Sequence, residues 1–182
     1  MKQPIEELKR QVFKAKETRA AEQRRLIREF RMPLISFTLI LPGGYFQYSK
    51  WPEVWKLACA SLDDAFPESF YSQNRLGEWG PEAFYAIDLE ASTIKQKTCR
   101  LEDGTPLGRL YDMDVIDLSG IPVSRTSLGA APRQCLICDQ PAVECYVTRR
   151  HSLESLVEEV KSRMDHGIQQ SVQQNAVRLS LE

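Results

Sequence analysis

The sequence feature that most constrains the fold is the alternation of apolar and acidic residues in 111–116 (YDMDVI). Successive side chains of a β-strand point to opposite faces, so Asp112 and Asp114 would share one face and Met113 and Val115 the other. Two like charges on a half-buried strand are unfavourable unless a positive group neutralises them. The pattern therefore predicts a strand whose apolar face packs on the core and whose acidic face is open to a cation.

The spacing of the two aspartates also suits metal binding. Residues i and i+2 of a strand lie about 6.5–7 Å apart along the chain, so the carboxylates of Asp112 and Asp114 can converge on one hard divalent cation. Mg²⁺ is the usual divalent partner of phosphate substrates. An ordinary amphipathic edge strand with two solvated aspartates is the alternative interpretation, and this pattern alone does not decide between the two.

The residues around the aspartates favour the metal-site interpretation. Gly108 permits close approach of the backbone, and Arg109 can bind two phosphate oxygens at once. Further arginines follow at Arg125 and Arg133. A strand with metal-binding carboxylates, a preceding glycine and several arginines is what phosphoryl-type transfer requires.

Hydrophobic patterns elsewhere predict helices and strands along the whole chain. The predicted elements are a helix over 1–31, a buried strand over 34–41, a helix over 51–66, strands over 83–87 and 92–101, a helical segment over 141–150 and a last helix over 153–163. The turn Pro42-Gly43-Gly44 has two interpretations, a phosphate-binding turn and a plain turn.

Length and charge bound the organisation and the partners. A chain of 182 residues fits one domain, or one domain with an appended arm. We expect a basic helical arm at 1–31, a single catalytic domain at 32–165 and a polar tail at 166–182 that frays. The arm is either a solvated helix face or a source of arginines, Arg19 above all, that fold back toward an anionic substrate. The net charge of −1 argues against nucleic acid and membranes as partners.

A cluster of soft ligands lies in the last third of the chain. Cys135, Cys138, Cys145 and His151 have the spacing C-x2-C-x6-C-x5-H, which fits a Cys₃His zinc site. Buried, reduced thiols in a tight helical turn are the alternative interpretation. An odd number of cysteines, five, clustered in this way favours a reducing compartment, so we expect a cytoplasmic protein.

Two motifs make the chain resemble a known family. Residues 106–116 (PLGRLYDMDVI) and 133–138 (RQCLIC) are similar to the holo-acyl-carrier-protein synthase of citrate lyase, also called apo-citrate lyase phosphoribosyl-dephospho-CoA transferase. Supporting matches extend from about residue 13 to about residue 160. They include 18–23, 33–38, Pro42-Gly43, 80–82, Lys95, 101–102, Ser124-Arg125 and the cysteine–histidine cluster. Several motifs in one order are more specific than any one of them.

The resemblance implies a fold and a reaction. The implied fold is nucleotidyltransferase-like, α/β (α+β), with a mixed sheet flanked by helices and a long N-terminal helix. The implied enzyme transfers the 2′-(5″-triphosphoribosyl)-3′-dephospho-CoA precursor to a serine of the acyl-carrier (gamma) subunit of citrate lyase and releases pyrophosphate. That precursor and that apo subunit are the expected partners. Mg²⁺ is the expected cofactor, and Zn²⁺ is a second candidate at the cysteines.

The resemblance also implies roles for individual residues. Asp112 and Asp114 would bind Mg²⁺ and, with Arg109, would form the catalytic group. The residues expected to bind the substrate are Arg19, Lys95, Gly108, Arg125 and Arg133. Asp117 and Glu102 are the nearest candidates for the carboxylate that positions the attacking serine hydroxyl.

Two departures from the family pattern stand out. The family continues after Pro42-Gly43 with a proline, an aliphatic residue and a lysine, whereas this chain has Gly44-Tyr45-Phe46, which leaves Lys50 as the nearest replacement. The family's arginine after the third cysteine is Val147 here. Two non-catalytic alternatives therefore stay open: a zinc-stabilised binding module, and a chaperone that docks an acidic carrier protein.

Overall fold

The protein is an antiparallel sheet enclosed by helices. The structure, a computed structural model, describes the backbone of residues 5–179 and the side chains of residues 10–173. The helices are α1 (Ile5–Phe30), α2 (Trp51–Ala65), α3 (Ala91–Gly104), α4 (Ala142–Thr148) and α5 (Leu153–Leu179). The strands are β1 (Leu34–Leu39), β2 (Tyr71–Gly77), β3 (Gly80–Ala86) and β4 (Tyr111–Ile116), in the sheet order β2-β3-β1-β4. The predicted α/β class with a long N-terminal helix is confirmed, and these strands pair antiparallel throughout.

One face of the sheet forms the main core. Met113 and Val115 of β4 are fully buried there, as the alternation in the sequence predicts. Side chains of α2 and α5, including Ala58, Leu62 and Val160, belong to the same apolar cluster. Each large side chain buried in this way stabilises the fold by about 1.5–3 kcal/mol relative to exposure. The strand with the aspartates is therefore anchored through its apolar face.

The C-terminal part of helix α1 packs against one end of the opposite face. Leu26 and Ile27 of α1 belong to a second apolar cluster with Phe84 and Ile116. Nearby, the Gln23 side-chain amide donates a 2.8 Å hydrogen bond to Ser36 Oγ. Beyond this contact, Asp112 and Asp114 on the same sheet face remain reachable from solvent, whereas Glu82 is buried.

One predicted element is wrong and one strand was missed, each for an identifiable reason. Residues 92–101 form part of helix α3, not a strand. Its buried positions have helical spacing, but three of them, Lys95, Thr98 and Glu102, are polar and hide the period. Strand β2 was not predicted, because it is an edge strand with few apolar residues, on which half-buried and exposed positions alternate.

Helix α5 is longer than the sequence predicts. Its polar residues continue in helical conformation to Leu179, so the predicted end near residue 163 is wrong. The division of the chain into 1–31, 32–165 and 166–182 stays a prediction. Within the described residues, each helix is too short or too polar to cross a bilayer.

Candidate active site

The strand register aligns polar side chains across the open face of the sheet. Thr38 of β1 pairs with Glu82 of β3 on one side and with Asp112 of β4 on the other, while Ser36 pairs with Asp114. Asp112 and Asp114 alternate with buried residues of β4, so both carboxylates lie on the open face. The Thr38 hydroxyl donates a long, 3.5 Å hydrogen bond to Asp112 Oδ2.

The two aspartates repel each other. Desolvation by the surrounding protein and the charge of Asp112 raise the pKa of the Asp114 carboxyl to about 6, against the opposing effects of Lys95 and Arg19. Both side chains are nevertheless reachable by solvent, Asp112 with 46% of its side chain exposed. A carboxylate pair that is accessible but incompletely neutralised is a suitable place for a cation.

Helix α3 fixes the outer edge of β4 between the two aspartates. Buried Glu102 accepts a 2.9 Å hydrogen bond from the Met113 N–H, and buried Lys95 donates a 2.9 Å hydrogen bond to the Met113 carbonyl. The backbone groups of an unpaired strand edge are satisfied in this way. Lys95 and Glu102 therefore hold the strand, and the Glu102 carboxylate is occupied by protein partners.

The three predicted arginines come together around Glu102 and the start of β4. Arg125 donates a 2.6 Å hydrogen bond to Glu102 Oε2, and Arg133 Nη1 lies 3.4 Å from Glu102 Oε1. Arg133 also donates to the Tyr111 carbonyl at 2.5 Å and lies 3.8 Å from Asp112 Oδ1. Arg109 donates a 2.7 Å hydrogen bond to the carbonyl of Gln134. Desolvation and the charge of Arg133 lower the pKa of Arg109, which reflects how closely these guanidinium groups are packed.

Two other predicted residues have different surroundings. A Cβ atom at Gly108 would lie 2.1 Å from the Leu101 carbonyl oxygen, so this glycine allows close approach to α3 of the same chain. Asp117 Oδ1 accepts hydrogen bonds from the backbone N–H groups of Ser119 and Ile121 at 2.8 and 2.9 Å. Gly108 and Asp117 thus shape the two ends of β4.

A cleft of about 590 Å³ begins at Asp112 and continues to the cysteine cluster. Its carboxylate end contains Arg19, Thr38 and Asp112, and its thiol end contains Cys135, Cys145 and His151. Basic groups are contributed by Lys16 and Arg133. The apolar walls between the ends consist of Val12, Leu39, Ile40, Leu41, Pro42, Trp79, Leu136, Leu153 and Leu156. A pocket of this size with polar groups at its ends is typical of a site for a cofactor-sized ligand.

The thiol end has the geometry of a metal site. The ligand atoms of Cys135, Cys138, Cys145 and His151 all lie within 4.8 Å of one another. Cys138 Sγ is 3.5 Å from Cys145 Sγ and 3.3 Å from His151 Nε2. Tetrahedral zinc with Zn–S bonds of about 2.3 Å requires sulfur atoms roughly 3.8 Å apart. These four residues could bind a metal such as zinc.

The local backbone explains why these ligands meet. The Cys135 N–H donates a 2.8 Å hydrogen bond to the Gln140 carbonyl, which closes a turn around Cys138. Helix α4 then carries Cys145, as the predicted helical segment requires. Arg149 ends α4 in the left-handed conformation, with φ of 50°, and this reversal returns His151 to the cysteines.

Some residues of the cleft were not predicted from the sequence. Glu82 is buried beside it and paired with Arg19 at 3.0 Å and with Arg75 at 2.8 Å. Its partners come from α1 and from the unpredicted strand β2, so no local pattern could reveal the group. Lys50 pairs with Asp165 at 2.8 Å and is outside the described lining of the cleft, whereas Lys16 of α1 belongs to it.

A strand with paired aspartates, a group of arginines and a cofactor-sized cleft together have the features of an enzyme active site. The sequence model of the family described as apo-citrate lyase phosphoribosyl-dephospho-CoA transferase matches residues 8–167. This chain belongs to that family and is therefore an enzyme of the transferase class.

Curated relatives agree with this assignment. A probable apo-citrate lyase phosphoribosyl-dephospho-CoA transferase of Vibrio cholerae is 32% identical over 156 residues, which cover 83% of this chain and 88% of the relative. The protein of the same name from Streptococcus pyogenes is 34% identical over 151 residues, covering 80% of this chain and 79% of the relative. The match to Protein CitXG of Haemophilus influenzae, 31% identical over 155 residues, covers 83% of this chain but 33% of that longer protein.

Proposed function

We propose that this protein transfers 2′-(5″-triphosphoribosyl)-3′-dephospho-CoA to a serine of the acyl-carrier (gamma) subunit of apo-citrate lyase and releases pyrophosphate. The observation that carries the proposal is the pair Asp112 and Asp114 on the open face of β4, with Asp112 lining one end of a 590 Å³ cleft. The family name and the names of the relatives support the reaction class.

Asp112 and Asp114 are the residues that would hold Mg²⁺. The fit rests on their shared face, on their exposure to solvent and on the repulsion that raises the pKa of Asp114. When bound, Mg²⁺ would supply charge neutralisation for the triphosphate. Mg²⁺ is commonly held through one or two carboxylates together with substrate phosphates, so removing either aspartate would leave one protein carboxylate and weaken metal binding.

The chain's own groups have distinct parts in the proposed reaction. The serine oxygen forms a bond to the α-phosphorus, the bond from that phosphorus to the oxygen of the leaving pyrophosphate breaks, and the hydroxyl proton goes to a base or to water. Arg109 and Arg133, beside the start of β4, would bind the phosphate oxygens on which charge develops. Arg125 and Glu102 support them by holding Arg133 and the edge of β4 in position. Arg19 faces the same end of the cleft and pairs with buried Glu82.

We also propose that Cys135, Cys138, Cys145 and His151 hold Zn²⁺ as a structural ion. Four soft ligands without an open position are typical of structural zinc sites, not of catalytic ones. The ion would then stabilise one wall of the cleft, because Cys135, Cys145 and His151 line it.

Intact mass spectrometry of the purified apo carrier subunit tests the proposed function. After incubation with this protein, the triphosphoribosyl precursor and Mg²⁺, the carrier should gain the mass of the precursor minus pyrophosphate. The gain should disappear when EDTA replaces Mg²⁺ and with Asp114→Asn, but persist with Asp64→Asn, an exposed aspartate on α2. If no mass is gained but the carrier still co-elutes with the protein on a sizing column, the docking and chaperone alternative is favoured instead.

A further inference from the structure

Helix α4 presents apolar side chains to solvent beside the mouth of the cleft. Val143, Tyr146 and Val147 are 64%, 83% and 73% exposed. Their spacing of three and four residues places them on one face of the helix. Ala142 and Cys145, by contrast, line the cleft, and Tyr146 contributes to both surfaces. Three large apolar groups clustered on one short helix form a patch, whereas isolated exposed apolar residues are ordinary.

Positive charge accompanies this patch. Arg149 and Arg150 follow α4 directly, are exposed, and form no ion pair with any residue that the structure describes. Arg149 adopts a left-handed conformation that is uncommon for a residue with a side chain, which fixes where the two arginines follow the helix. On the other wall of the cleft, α1 adds exposed Lys16. The mouth of the cleft is therefore both apolar and basic.

We propose that the α4 face, defined as Val143, Tyr146, Val147, Arg149 and Arg150, docks the protein substrate through an acidic segment with apolar side chains. The inference rests on the proposed function, because transfer to a protein requires a surface that holds that protein beside the cleft. Charge complementarity selects an acidic partner. An exposed tyrosine with flanking arginines is typical of the residues that dominate binding energy in interfaces.

The position of the α4 face determines how a docked protein would bring its hydroxyl group to the carboxylate end of the cleft. Tyr146 and Asp112 line the same cleft, so a segment docked on α4 can present a hydroxyl to the carboxylate end without any rearrangement of the sheet. The phosphorylated substrate would occupy the cleft, whose lining does not include Val143, Val147, Arg149 or Arg150. Docking of the protein partner and binding of the small substrate are therefore separable.

The test measures binding of the apo carrier subunit by calorimetry and transfer by mass spectrometry, for the full chain at low and moderate salt. The charge-reversal variant R149E/R150E should weaken carrier binding and raise the KM for the carrier by at least tenfold. Its affinity for the triphosphoribosyl precursor should change less than twofold. The variant V143S/V147S, at two exposed positions outside the lining of the cleft, should have the same effect without changing charge. For wild type, affinity for the carrier should fall as salt rises, whereas for R149E/R150E it should be nearly independent of salt.

The matched control is K56E/R100E, which makes the same change in charge at exposed positions on α2 and α3. It should bind the carrier like wild type, and thermal unfolding should show that all three variants are folded. An equal loss in K56E/R100E, or unchanged carrier binding in R149E/R150E, overturns the docking proposal. So does a wild-type dimer in sedimentation that R149E/R150E dissociates, because the α4 face would then join two copies of this chain. Carrier that binds wild type through α4 but gains no mass would leave docking intact and refute the transfer.

Discussion

The two ends of the cleft are built in different ways. At the carboxylate end, Asp112 is positioned by pairing of β4 with β1 and by the hydrogen bonds of Lys95 and Glu102 to Met113. At the thiol end, the ligands come from one turn and one short helix within the range 135–151. A sheet edge held by buried hydrogen bonds is formed without a ligand, whereas a small irregular segment with four metal-binding side chains would depend on a bound ion. The sheet and α3 thus hold the carboxylates in place, whereas a removable metal ion would stabilise the wall of the cleft at the thiol end.

This difference predicts that loss of a carboxylate affects activity far more than stability. We expect Asp112→Asn to lower kcat/KM for transfer to the carrier by about 10²-fold or more, because it removes a metal ligand. Thermal unfolding should change little, since Asp112 is half-exposed and its hydrogen bond to Thr38 is long, 3.5 Å. Steady-state kinetics and a thermal scan of the same preparation check both statements. A variant that keeps more than a third of wild-type activity contradicts the assigned role.

For the buried groups that support the carboxylate end, we expect substitution to affect mainly the stability of the fold. We expect Glu102→Gln to lower the free energy of unfolding by about 2–3 kcal/mol, because it leaves Arg125 and Arg133 beside an uncharged buried group. Denaturant titration measures the effect. Glu158→Gln, at an exposed position of α5, is the control and should be nearly neutral. Unchanged stability in Glu102→Gln would mean that the arginines find solvent and that the network does not hold β4.

The thiol end should lose its metal and part of its stability together. We expect Cys138→Ser to abolish bound zinc and to lower the free energy of unfolding by about 1–2 kcal/mol, because a four-ligand structural site loses one ligand. Metal analysis of the purified protein and thermal scans with and without a chelator measure this. Cys59→Ser is the control, since Cys59 lies outside the cluster. Wild-type protein that contains no metal and does not respond to the chelator would support the alternative of buried, reduced thiols.

The sequence predicts those parts of the fold that depend on local patterns. Strand β4 was predicted because the alternation of Asp112, Met113, Asp114 and Val115 is visible within six residues. Helix α3 was not, because its buried Lys95 and Glu102 gain partners only when α3 reaches β4. Tertiary contacts make those polar positions part of the interior, and no local pattern reports such contacts.

The residues of the site, like the elements of the fold, could be predicted only where they depend on a local pattern. The four residues of the cysteine–histidine cluster are close to one another in sequence. Their spacing alone therefore indicated that their side chains could bind one metal ion. Glu82, by contrast, takes its partners Arg19 and Arg75 from two distant elements. Lys16 enters the cleft only because α1 lies across the sheet, so its position depends on packing that no pattern within α1 determines.

The smallest expected effect is a pH dependence of stability that arises at the carboxylate end of the cleft, from Asp114. The pKa of Asp114 is raised from 3.8 to about 6 by desolvation and by Asp112. Because the folded state binds this proton more tightly than the unfolded state, the contribution of Asp114 to stability is largest below about pH 4 and is lost as the pH rises through about 6. Without Mg²⁺, Asp114→Asn should therefore unfold like wild type near pH 4 but be slightly more stable at pH 8. Solvent exposure limits the gain to less than about 1 kcal/mol.

Mg²⁺ decides how this small effect of Asp114 is interpreted. A cation held by Asp112 and Asp114 stabilises the folded state by mass action, so Mg²⁺ should raise the melting temperature of wild type at pH 8 and not that of Asp114→Asn. The order of stability of the two proteins would then reverse on adding the ion. If Asp114→Asn is no more stable than wild type at pH 8 without Mg²⁺, then Lys95 and Arg19 already neutralise the pair. The carboxylate end would in that case need no ion for stability, and a metal would have to be recruited by the phosphates of the substrate.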